Sequence, residues 1–154
     1  MAGNGRIYAA IEKFLTEDGW TFSQLGDDSI IELRVSGDDG GVWTSLAQAR
    51  EAEEQMVFYS LFPSRVPEEN RMDMAELITR INYGMVLCNF ELDLDSGDLR
   101  CKTAIDVENH ELADELIRQV VYANIMVMEK YLPALAATQS GLLNAQMALE
   151  LVGE

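Results

Sequence analysis

A chain of 154 residues suits one domain of ordinary size, and 48% hydrophobic residues exclude wholesale disorder. At this length about 68–70% of the unfolded surface is buried, enough for a core without metals or disulfides. Asp and Glu number 27 against 11 Lys and Arg, a formal net charge of -16 that repels nucleic acid and anionic membranes alike.

From the N-terminus, Asn4 is a plausible N-cap for a helix from Gly5 to Asp18. Ile7, Ile11, Phe14 and Leu15 share one face of it, and Gly19 suits the left-handed position that ends it. Strand signals follow at 20–25, 29–35 and 42–49, separated by the turn residues 26–28 and 36–41. Ile31, Leu33 and Val35 alternate with Glu32 and Arg34, so one face of that strand is wet. Residues 55–62 are apolar on both faces, which predicts a strand covered on both sides.

Pro67 with Glu68 and Glu69 opens a helix that should reach Tyr83, with Met74, Leu77, Ile78 and Ile81 inward and Gly84 as its end. The runs 86–92 and 99–105 flank a turn-forming Asp93-to-Asp98 segment and predict an antiparallel hairpin with Phe90, Leu92 and Leu99 facing the core. A long helix should begin near Asn109 or His110 and reach at least Leu132. Pro133 then kinks it or starts a new helix running to Val152. Most strands neighbour each other in sequence, so the fold class is α+β with an antiparallel sheet and helices against one face or one end.

Little in the chain marks a reaction. Gly3-Asn4-Gly5 lacks the preceding strand and the third glycine of a phosphate loop. His110 is the one imidazole and sits in an exposed connection, where a surface role is expected. The Asp93, Asp95 and Gly97 loop lacks the later ligands of a calcium site and reads as a turn. No cofactor or metal is expected. Cys88 and Cys101 show no CxxC spacing. They fall on one face of the hairpin, where two small buried hydrophobes with reduced thiols are expected, although a redox pair is conceivable. With no signal-peptide pattern, no glycine at position 2 for myristoylation and no apolar run near about 20 residues, the expected location is cytoplasmic.

The long helix carries the strongest signal. Leu116, Val120, Ala123 and Val127 line one face; Ile117, Val121, Ile125, Met128 and Leu132 line another. A helix apolar nearly all round needs cover on most sides. The cover is either the chain's own tail, a second copy or a client. The expectation carried forward is a homodimer or partner interface built from Tyr122, Ile125, Met126, Glu129, Leu135, Leu142, Leu143, Met147 and Leu149.

Residues 67 to about 135 also carry a family pattern. It runs through Pro67-Glu-Glu-Asn-Arg71, the helix ending Asn82-Tyr83-Gly84, the hairpin pieces Asn89-Phe-Glu-Leu-Asp93 and Ser96 to Thr103, and Tyr131-Leu-Pro-Ala134. This pattern resembles the YbjN family of bacterial sensory transduction regulators. The resemblance implies a type III secretion chaperone-like fold, with helices around a bent antiparallel sheet. It also implies a non-enzymatic, regulatory or chaperone-like protein that binds other proteins as a homodimer. Residues 1–154 would form one such domain, with 134–152 as an additional helical segment. The competing expectation is a small-molecule sensor or enzyme with a pocket between sheet and helices.

Overall fold

The computed structural model describes residues 5–26 and 29–153. The expectations placed on Asn4, on the Gly3-Asn4-Gly5 loop and on the turn at 27–28 lie outside the described residues.

Helix α1 (Arg6–Glu17) buries Ile7, Ile11, Phe14 and Leu15, the face its periodicity marks. Its first N–H groups are satisfied from a distance. Glu51 accepts from Ile7 N–H at 3.0 Å and from Tyr8 N–H at 2.7 Å. A carboxylate there suits the positive end of the helix dipole. Gly5 permits this approach, because a side chain at that position would collide with the Glu51 carboxyl.

Four strands follow: β1 (Phe22–Gln24), β2 (Ile30–Ser36), β3 (Val42–Arg50) and β4 (Gln55–Leu61). A short 3-10 turn (Glu68–Asn70) leads into α2 (Arg71–Gly84), then come β5 (Asn89–Leu92), β6 (Leu99–Asp106), α3 (Asp114–Gln139) and α4 (Ala145–Leu151). The six strands form one antiparallel sheet in the order β1-β2-β3-β4-β6-β5. The α+β class with an antiparallel sheet, expected from the order of elements, is what the chain forms.

Register assigns every strand residue to a face. Leu33, Ser45, Ser60, Cys101 and Phe90 lie in one row across β2 to β5, and all are buried. Helix α1 packs over β3, α3 crosses β4 and β6, and α2 lies against β5. The opposite face carries Glu32, Arg34, Thr44, Tyr59, Arg100 and Lys102 and has no helix over it among the described residues. Residues 55–62 were expected to be covered on both sides. Val57 is buried, whereas Tyr59 and Leu61 stay half-exposed on this open face.

Three boundaries differ from the periodicity reading. The strand expected at 86–92 begins only at Asn89. Residues 85–88 leave the sheet, and Val86 and Leu87 are exposed. The long helix starts at Asp114, because Asn109 takes a left-handed φ of 61° and His110 N–H closes a turn onto Val107. Helix α3 also continues past Pro133 to Gln139, so no new helix starts there. An interior proline costs about 3 kcal/mol. Burial of Tyr131, Ala134 and Leu135 on either side offsets it. Helix α4 folds back on α2 and α3, burying Ala145 and Ala148.

Candidate functional site: an apolar surface beside an open strand edge

The expected interface residues do not form one patch. Ile125 and Leu135 lie in the core. Tyr122 donates a 2.5 Å hydrogen bond to Asp18, and Glu129 accepts from Asp38 N–H in the β2–β3 turn. Leu143 and Leu149 are half-buried against the core. Met126, Leu142 and Met147 remain exposed. Met126 sits about 20 Å from the end of α3 at 1.5 Å per residue, so it is remote from Leu142.

Met126 instead belongs to a surface that periodicity did not reveal. Val86 is 93% exposed, Leu87 74% and Met126 66%. These three join Met85, Cys88, Ala123 and Val127 around a shallow groove. Leu87 and Ala123 also line a second groove of about 170 Å³ with Thr103, Ala104, Ile105, Leu116, Gln119 and Val120. The two grooves therefore form one continuous strip, bounded by α3, the end of β6 and residues 85–88. Large exposed apolar side chains in one strip mark interaction surfaces in folded proteins. The sequence signal was present in the face Leu116, Val120, Ala123 and Val127. What could not be seen was that β5 starts late and leaves this face uncovered.

Residues around the strip fix its shape. Asn82 at the end of α2 clamps the outer edge of β5: its Nδ2 donates to Phe90 O at 3.0 Å, and its Oδ1 accepts from Phe90 N–H at 2.8 Å. Beneath α3, fully buried Asn124 donates from Nδ2 to the carbonyls of Phe58 and Cys101, each at 3.0 Å. Thr103 donates from its hydroxyl to Val120 O at 2.8 Å. The helix is thus pinned to the sheet by polar contacts inside an apolar core, and its outer face is held at a fixed distance from β6.

Cys88 and Cys101 require a correction. Both are buried, as expected, but the structure joins them in a disulfide. Phe90 is the register partner of Cys101, so Cys88 reaches it diagonally on the same face. Among the described residues there are no free cysteines. The bond ties the start of β5 to β6 just where residues 85–88 turn away.

The open sheet face offers a different chemistry. Glu91 bridges Arg100 at 2.7 Å and Lys102 at 2.6 Å, and the Arg100 guanidinium lies 4.3 Å from the centre of the Tyr59 ring. Burial pulls the Glu91 carboxyl upward, but the hydrogen bonds and charges of Lys102 and Arg100 outweigh it and leave the group below its usual range. The cations of this cluster are satisfied by their own neighbours. His110, whose Nδ1 lies 2.7 Å from Glu108 O, is exposed. The Asp93 loop is closed by its own backbone, with Asp93 Oδ1 accepting from Asp95 and Ser96 N–H. Among the described residues, no helix is long and apolar enough to cross a membrane.

A sheet with helices on one face, an open opposite face and an exposed apolar strip along its longest helix defines an α+β protein. The chain belongs to the YbjN family, whose model, described as "Putative bacterial sensory transduction regulator", matches residues 8–137. Among solved structures the chain is similar to YbjN of E. coli, titled a putative transcription regulator. The TM-score is 0.66 at 14% identity, covering 86% of this chain and 92% of that one. It is also similar to a chain of the HopA1–SchA chaperone–effector complex, with a TM-score of 0.47 at 14% identity, covering 78% and 88%. No curated protein sequence matches it.

Proposed function

We propose that this chain is a non-enzymatic regulatory protein that works by binding other proteins, and that it does so as a homodimer. The observation that carries the reading is the exposed trio Val86, Leu87 and Met126 in one apolar strip. Burying them against a partner is worth about 25 cal/mol per Å² of apolar surface. The family description as a regulator points the same way. The adjoining groove is lined by no Asp, Glu, His, Lys or Cys, which leaves a reaction there without a titratable acid or base. A cytoplasmic site of action belongs to the same reading, where a reducing environment would open the Cys88–Cys101 bond.

In this reading the dimer contact lies at the Val86–Met126 end of the strip. The like charge of two acidic subunits opposes it, but screening at about 0.15 M salt shortens the reach of that repulsion to roughly 8 Å. Sedimentation equilibrium at physiological salt tests the proposal. The unmodified protein should run at twice 17.2 kDa, and the Val86→Glu, Met126→Glu double variant at the monomer mass with unchanged circular dichroism. An unmodified protein that stays monomeric would contradict the dimer.

A further inference from the structure

Strand β5 is half as long as the strand it pairs with. It covers β6 only from Leu99 to Lys102. Residues 103–106 of β6 therefore have no strand on that side among the described residues. The direction of their backbone groups follows from the register. Phe62 N–H donates to Leu99 O, and Val107 N–H donates to Glu54 O, so the odd-numbered residues of β6 turn toward β4. Asn82 holds both backbone groups of Phe90, which places the Phe90 and Cys101 pair off the β5–β6 ladder and the even-numbered residues of β6 on it. Ala104 and Asp106 are the next even residues. Both are exposed, and their N–H and C=O groups point outward past the end of β5.

An open strand edge is a template for another strand. This one runs beside the groove formed by Leu87, Ile105, Leu116, Val120 and Ala123. We propose that residues 103–106 of β6 and this groove receive an extended segment of a partner protein, added to the sheet as a short strand where β5 stops.

The geometry sets the chemistry of that segment. Side chains of an added strand alternate between the two faces of the sheet. Those on the helix side enter the apolar groove. Those on the open side stand beside Ala104 and Asp106. No charged residue lines the groove. Its far end, where β6 passes into α3, carries Asp106, Glu108, Glu111 and Glu115. A segment alternating apolar and basic residues fits both faces. A second copy of this chain fits less well, because it brings the same -16 charge to an acidic rim. Backbone pairing supplies affinity and the groove supplies selection, as in strand addition generally.

This inference rests on the protein-binding reading and gives it a place and a partner chemistry. The probe is an end-capped, fluorescently labelled octapeptide of alternating lysine and valine, followed by anisotropy at physiological salt. Added antiparallel to β6, as β5 is, the segment places a lysine beside Asp106 with its own N–H turned toward β6. N-methylation of every lysine amide should therefore weaken binding at least about tenfold, the effect of losing one net hydrogen bond or more. N-methylation of every valine amide should leave it within about twofold. Binding should also slow hydrogen exchange at the Ala104 and Asp106 amides, and Ala123→Arg, which fills the groove from the helix surface, should abolish it. Two methylated peptides that bind alike would mark simple charge attraction and overturn the proposal. So would binding with no change at Ala104 and Asp106, protection that grows with protein concentration alone, or no binding at all. A failed peptide beside an intact Val86- and Met126-dependent dimer removes the groove proposal only, whereas loss of the dimer as well removes the wider reading.

Discussion

Tyr122 of α3 donates a 2.5 Å hydrogen bond to Oδ2 of Asp18, the residue that ends α1. The same carboxylate accepts from Trp20 Nε1 at 3.0 Å and meets Arg118 at 3.3 Å. One acid thus joins the first helix to the longest. The hydrogen bond from Tyr122 holds Asp18 below the usual carboxylate range, helped by Trp20 and Arg118. Burial, then the bond to Asp18 and its charge, push the Tyr122 phenol above its ordinary value.

Stability should therefore fall at both ends of the pH scale. The Asp18 contribution is complete above the unfolded carboxylate value of about 3.9 and is lost as pH falls through the lower folded value. The Tyr122 contribution is complete below about 10 and is lost as pH rises through the raised folded value. Tyr122→Phe should cost about 1.5 kcal/mol at neutral pH, since a bond to a charged acceptor is removed. Urea midpoints measured across pH should show shallower acid and alkaline limbs in the variant.

Asn124 is fully buried and donates to two sheet carbonyls, while its Oδ1 has no hydrogen-bond partner among the described residues. Asn124→Ala leaves those carbonyls short of a donor and opens a void beneath α3. A loss of about 3 kcal/mol is expected in urea unfolding. Ile125→Glu, one residue on, would bury an unpaired charge in the core. It should unfold the protein rather than separate its subunits.

The disulfide spans 13 positions of chain. Loops of that length restrict the unfolded state by about 3 kcal/mol. The Cys88→Ala, Cys101→Ala double variant should lower the denaturation midpoint accordingly, and dithiothreitol should lower that of the unmodified protein but not of the variant.

Glu51 satisfies two N–H groups at the start of α1 from the turn between β3 and β4. Glu51→Ala should cost about 1–2 kcal/mol, the usual value of a lost cap. Amide exchange at Ile7 and Tyr8 should quicken more than at the centre of the helix.

Much of this fold was legible in the chain. Alternation of Ile31, Leu33 and Val35, or of Phe90 with Cys88, depends on nearest neighbours and survives folding intact. The order of elements then allows few sheets. Long-range effects were not legible. Glu51 caps the start of α1 from more than forty residues away in the sequence. Asn109 turns the chain ahead of α3 through a left-handed backbone that side-chain periodicity does not report. Val86 continues the alternation of β5 perfectly, yet the Asn82 clamp and the diagonal bond from Cys88 end the strand before it. The interface residues scattered for the same reason: Tyr122, Glu129 and Leu135 found partners within the monomer, and α4 covered part of the helix surface.

Hydrogen–deuterium exchange with mass spectrometry, at a low and an about hundredfold higher protein concentration, tests the central claim most directly, because association protects only the amides it covers. Residues 84–88 and the outer face of α3 around Ala123 to Val127 should exchange more slowly at the higher concentration, with α4 and the open sheet face unchanged. Slowing confined to α4, or none anywhere, would contradict the assignment of this apolar strip as the surface by which the protein binds.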